Sequence, residues 1–206
     1  MKITLIVEGK TETAFKPHLI EFLEKRLPGR MPELDFNPYH GLISAGEKLK
    51  SVVRHLLCGK KPSDHIIALT DVYTGSNPPT FTNAADAKAK MRQWVGDEPR
   101  FHPHVAQHDF EAWLLPCWSR IQKLAGHNKK APSGKPETVN HDNPPAYRIK
   151  EIFRIGKVGK RYVKPRDAGR ILRVKGNDLS VAIGECPELK ALVNTILSVS
   201  GGAIIL

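Results

Sequence analysis

Five carboxylates occupy positions from which they can do chemistry together. Glu8 directly follows the apolar run Lys2–Val7, Glu12 lies four residues further on, Asp71 follows the apolar residues 65–70, and Asp109 and Glu111 follow Phe101–Gln107. Residues four apart on a helix share a face, so Glu12 can turn back toward the end of the chain segment where Glu8 sits. Hard oxygen donors gathered this way suit Mg²⁺ or Mn²⁺, ions that stabilise the attacking and leaving oxygens of phosphodiester cleavage. Taken singly, Glu12 or Asp109 reads as a helix-capping or solvated acid. Glu8 and Asp71 together, each set immediately after an apolar run, read as a metal site.

These carboxylates need a frame that brings distant segments to one edge. The run KITLIV at Lys2–Val7 is short, apolar and β-branched, as expected for a strand buried on both faces of a parallel sheet. Gly9 permits a turn, and from Thr11 the residues Phe15, Leu19, Phe22, Leu23 and Leu27 recur at helical spacing until Pro28-Gly29 stops them. A strand over 34–40 that carries Pro38, a helix over 45–57, a strand over 65–70, a helix near 84–94 and a strand over 101–107 continue the alternation. That order predicts an α/β domain over residues 1–118, built on a parallel sheet with flanking helices. Ligands of such sheets bind outside the carboxyl ends of the strands, where all five acids fall. Residues 119–206 are expected to form a basic, mainly helical extension packed on that domain, with a proline-rich loop over 129–146. Short helices are predicted near 146–153 and 167–174, and a clear one over 187–199. Trp113, Leu114 and Leu115 are expected in the core of a helix after the fourth strand.

Charge points to a polyanionic partner. Residues 120–178 hold 16 of the 32 Lys and Arg but only 5 of the 21 acids, an excess equal to the net charge of +11 carried by the whole chain. A localised field of this size attracts nucleic acid. The candidate contacts are Lys10, Arg148, Lys150, Arg154, Lys160, Arg161, Lys164, Arg166, Arg170 and Arg173, with Tyr147, Phe153 and Tyr162 interleaved as rings that can stack on bases.

Other classes are disfavoured. At 40% hydrophobic and 26% charged residues the chain is neither a disordered regulator nor a fibre. Cys58, Cys117 and Cys186 form no CxxC pair, which together with the lack of a signal-peptide pattern favours a cytoplasmic setting. No apolar run approaches the roughly 18 residues of a membrane span, so no membrane association is expected. Gly9-Lys10-Thr11 imitates the end of a phosphate-binding loop, but Thr4 stands where the first glycine is required. His102-Pro103-His104 offers two imidazoles without a third zinc ligand at a recognisable spacing.

The segment Ile6-Val7-Glu8-Gly9-Lys10-Thr11-Glu12 resembles the glutamate motif of Toprim domains, especially those of the overcoming-lysogenization-defect nucleases. Asp71-Val72-Tyr73 resembles the DxD motif of that fold with tyrosine in place of the second acid. The chain more closely resembles a Toprim-like family of unknown function found beside ABC-type ATPases in prokaryotic defence operons. The likeness rests on the VEGxTE start, the Asp-x-Tyr segment, the stretch Asp109-Phe110-Glu111-Ala112 and the later Pro136-Glu137-Thr138-Val139-Asn140. It implies a Toprim-like fold and a Mg²⁺ or Mn²⁺ site with Glu8, Glu12 and Asp71 as ligands. Asp109 or Glu111 would replace the missing acid, and Glu8 and Asp71 would be catalytic. The implied activity is metal-dependent cleavage of DNA or RNA by the effector of an antiphage system, with an ABC-type ATPase as partner and self-association left open. The alternative, favoured by Tyr73, is a non-catalytic partner subunit that docks on the ATPase or binds nucleic acid without cutting it.

Overall fold

Four strands form one sheet in the order β2-β1-β3-β4, all parallel: β1 (Lys2–Val7), β2 (Glu33–Pro38), β3 (His65–Val72) and β4 (Phe101–Gln107). The computed structural model describes residues 1–39, 41–72, 80–140, 142–156, 161–173 and 179–206. Tyr73, Lys160 and the side chain of Lys10 lie outside the described residues. The α/β class and the flanked parallel sheet are as expected and consistent with a Toprim-like fold.

Side chains alternate across the sheet, as a period of two demands. Ile3, Leu5, Val7, Ile67 and Leu69 enter one core, whereas Ile6, Ile66, Ala68 and Val72 enter the other. The second core is covered by α2 (Glu47–Cys58) and α3 (Ala84–Val95). In α2, Leu49, Val53 and Leu57 recur every four residues and are the buried stripe. Asn83 caps α3 by accepting the Asp86 N–H at 2.9 Å.

The first core is larger, and the basic half of the chain helps to build it. On this side lie α1 (Lys10–Glu24), a 3₁₀ segment (Phe110–Cys117), α4 (Trp118–Ala125), α5 (Pro145–Ile155), α6 (Lys164–Leu172), α7 (Ser180–Glu185) and α8 (Pro187–Val199). One continuous cluster runs from Ile3 of the sheet to Leu197 of α8. The C-terminal helices therefore complete the cover of the sheet: α6 lies on α1, and α8 lies on β4, where His104 Nε2 is 2.9 Å from Thr195 Oγ1. The segment after β4 is 3₁₀ where an ordinary helix was expected. Its side chains other than Pro116 are buried, so it follows the surrounding packing more than an amphipathic period. Helices α4 and α7, with eight and six residues, are too short to announce themselves by periodicity.

The proline-rich 129–146 stretch is a loop, as expected, and it is tied down. Trp118 Nε1 donates to the Lys129 carbonyl at 2.8 Å, and a single 3₁₀ turn at Pro136–Thr138 buries Glu137. The Glu137 carboxylate accepts from Trp113 Nε1 at 2.9 Å, from the Glu188 N–H at 3.0 Å and from the Leu189 N–H at 3.3 Å. It thus satisfies the open first turn of α8 and joins it to the 3₁₀ segment. Glu137→Ala is expected to cost about 2–3 kcal/mol, because it strips a charged cap and leaves the indole N–H unpaired. Urea denaturation of this variant should show that loss, and an unchanged midpoint would mean the cap adds nothing. Among the described residues no helix is long and apolar enough to cross a membrane.

Candidate functional site

The strand order contains a reversal. From β1 the chain crosses over α1 to β2 on one side, whereas from β3 it crosses over α3 to β4 on the other. The carboxyl ends of β1 and β3, which pair Val7 with Leu69, thus flank the switch point where open α/β sheets leave a crevice. Glu8 leaves β1 there, and Asp71 is the penultimate residue of β3. Glu12 lies in the first turn of α1. After β4, His108 takes the left-handed conformation at φ 71°, which costs a non-glycine residue roughly 1–2 kcal/mol and turns Asp109 and Glu111 into the 3₁₀ segment.

Each carboxylate is held differently. Glu8 is half-buried, and its Oε1 accepts a short hydrogen bond from Thr70 Oγ1 and another, at 3.2 Å, from the Asp71 N–H. It bridges the ends of β1 and β3. Asp109 accepts the Ala146 N–H at 3.0 Å through Oδ2, while its Oδ1 is buried without a hydrogen-bond partner. Glu12 Oε2 is likewise buried and unpartnered, and a Cβ on Gly9 would stand 3.3 Å from it, so the glycine leaves this carboxylate its room. Glu111 is 0% exposed, and both of its oxygens are engaged: Tyr162 Oη donates to Oε1 at 3.2 Å and Lys164 Nζ to Oε2 at 3.0 Å.

The acids perturb one another electrostatically. Burial raises the Asp71 carboxyl well above the usual range, and the negative charges of Glu8, Glu12, Asp109 and Glu111 all push the same way. Glu8 is raised to about 7 by burial against the pull of Thr70 and the Asp71 N–H, with Glu12 adding to the rise. Asp109 is also raised to about 7, by burial and then by Glu111. Glu12 is raised by burial and by Glu111. For Lys164 burial acts downward, but Glu111, Asp109 and Asp71 outweigh it and raise the ammonium.

The carboxylates share one electrostatic neighbourhood without closing on a point. Among the described residues no set of three His, Cys, Asp or Glu side chains is placed to hold a metal ion. The donors nevertheless fit a divalent cation in kind, being oxygen-only and mutually repelling. Glu12 Oε2 and Asp109 Oδ1 are buried acceptors with nothing to accept.

One expectation needs correction. Tyr162 and Phe153, 8% and 3% exposed, pack edge to face in the core and offer no ring to a base. Of the three rings only Tyr147 is exposed. Lys164 Nζ donates to Glu111 Oε2 at 3.0 Å while its side chain stays 42% exposed, so it serves as counter-charge to a buried acid and still reaches the surface. Arg166 and Arg170 reach Asp167 at 2.9 and 3.3 Å, and Asp167 itself caps α6 by accepting the Val163 N–H, so both brace a helix end while their side chains stay exposed. Lys150, Arg154, Arg161, Arg166, Arg170 and Arg173 are exposed, and Arg148 and Lys164 are half-buried. Thr70 and Tyr162 are the polar partners that sequence reading missed; a hydroxyl residue closing an apolar strand next to Asp71 was the available signal for Thr70.

Residues 7–197 match the family described as Domain of unknown function (DUF4276). The chain belongs to this family. The matched span begins at the last residue of β1 and covers β2, β3, β4, all of α1 to α7 and most of α8, so the basic half belongs to the family's unit and shares its core. Neither a curated protein nor a solved structure matches the chain.

Proposed function

We propose that this protein is a metal-dependent nuclease with a Toprim-type site, cutting phosphodiesters of DNA or RNA as the effector of a prokaryotic antiphage system that includes an ABC-type ATPase. The observation that carries the reading is Glu8 bonded to Thr70 and to the Asp71 N–H at the β1–β3 switch point, with Glu12 Oε2 and Asp109 Oδ1 buried as unpartnered acceptors. Glu8, Glu12, Asp71 and Asp109 would hold Mg²⁺ or Mn²⁺, which when bound supplies Lewis-acid stabilisation of phosphate oxygens.

The chain's own groups have separable tasks. Thr70 and the Asp71 N–H orient Glu8, whose carboxyl, raised to about 7, can take up or release a proton at Oε2 near neutral pH. Glu111, held at full burial by Tyr162, positions Lys164, whose side chain is 42% exposed and can meet a phosphate entering the site.

A second reading has its own support. The absence of a ready coordination set among the described residues favours a degenerate domain that binds its ATPase or nucleic acid without cutting. One assay separates the two. The pure protein, with and without the ATPase encoded beside it, is incubated in Mn²⁺ with plasmid, single strands and tRNA. Cleavage that EDTA stops is expected, and intact substrates in every combination would sink the nuclease.

A further inference from the structure

The helix that carries the basic charge is bonded directly to the acidic site. Ala146, in the first turn of α5, gives its N–H to Asp109, so the helix begins at the carboxylate cluster. The next residue is Tyr147, the most exposed aromatic residue among the described residues: it is 46% exposed, and the Arg148 guanidinium lies 5.9 Å from its ring centroid. Ala146, Ile149, Ile152 and Phe153 face the core. Tyr147, Lys150 and Arg154, spaced three and four apart, therefore form an exposed ridge on the other side, about 10 Å long at 1.5 Å per residue. Beside the ridge is a cavity of about 310 Å³ lined by Trp118, Lys129, Lys130, Ser133, Arg148 and Glu151. Its rim is fixed, since the Lys129 carbonyl accepts from both Trp118 Nε1 and Gln122 Nε2.

From this arrangement we infer that the polymer taken by the site is single-stranded nucleic acid. One unstacked base lies on Tyr147, and the backbone runs along Lys150 and Arg154 away from the carboxylates. The chemistry decides between strand states. A tyrosine ring among cations gains from a base only if the face of that base is free, and a duplex keeps its base faces inside the stack. Contacts to duplex go to phosphates and to base edges, in which the aromatic face of the ring takes no part. The inference rests on the nuclease reading for its direction, because Asp109 marks where the strand is cut, but the binding it predicts needs no metal.

The test is fluorescence anisotropy in EDTA with labelled single strands of about 12 nucleotides, as DNA and as RNA, and with duplexes of the same sequence. Single strands should bind roughly tenfold tighter than duplex, Tyr147→Ala should weaken them about tenfold, and Tyr147→Phe should not. Residual duplex binding should be the same for all three proteins. Equal or tighter duplex binding, or no response to Tyr147→Ala, overturns the inference even if Mn²⁺-dependent cleavage is found. Single-strand binding that follows this pattern without cleavage instead removes the nuclease and leaves the surface.

Discussion

Asp71→Asn is expected to lower Mn²⁺-dependent cleavage at least about a hundredfold and, in the metal-free protein, to raise the melting temperature. The first effect follows from taking away a proposed metal ligand near the end of β3, whose carboxyl is raised by burial and by the charges of the other four acids. The second follows from the same fact. Burying acids beside one another is unfavourable, and asparagine keeps the shape of the side chain while removing one of the charges. In a chain of this size each kcal/mol relieved is worth about 2–4 °C. A scan without metal and a cleavage assay on the same preparation measure both. A less stable variant would make the cluster an internal structural network, and undiminished cleavage would remove Asp71 from the site. A variant that is more stable and inactive has the signature of a site whose repulsion serves function.

Stabilisation by Mn²⁺ is expected to be small near pH 5 and to reach its full size above about pH 7.5, where the carboxyls have lost their protons. Glu8 and Asp109, raised to about 7, hold protons over the lower part of that range, and a cation must displace them to bind. The sign in the absence of metal is opposite. A carboxyl raised in the folded state contributes stability that is present below its ordinary value near 4 and is lost as pH rises through about 7. His104, buried and pushed down to about 3, acts the other way, giving stability above pH 6.5 that is lost as pH falls toward 3. The informative quantity is therefore the difference between melting temperatures with Mn²⁺ and with EDTA at each pH, in which His104 cancels. A difference independent of pH between 5 and about 7.5 would show that these carboxyls do not receive the ion.

Much of the frame was legible because strands and long helices write their burial into local periods. Lys2–Val7 needs both faces covered wherever it lies, and the stripe Leu189, Leu192, Val193, Ile196, Leu197 marks α8 without reference to anything else. The placement of Glu8 and Asp71 near strand ends was legible for the same reason, since an acid that closes a doubly buried apolar run marks its edge, although β3 continues through Asp71 to Val72. What each polar group touches was not. Glu111 meets Tyr162 and Lys164 across 51 and 53 residues, and Glu137 meets Glu188 across 51, because α6 packs on α1 and α8 packs on β4. No local period records those pairings. Only the tertiary structure therefore decided that Tyr162 is buried and Tyr147 is exposed, that Lys164 answers an internal acid, and that the basic half closes the core of the sheet. The sequence determined where charge and apolar stripes lie along the chain. Packing alone chose which charges face one another, since that choice depends on how faces meet and not on how they are spaced.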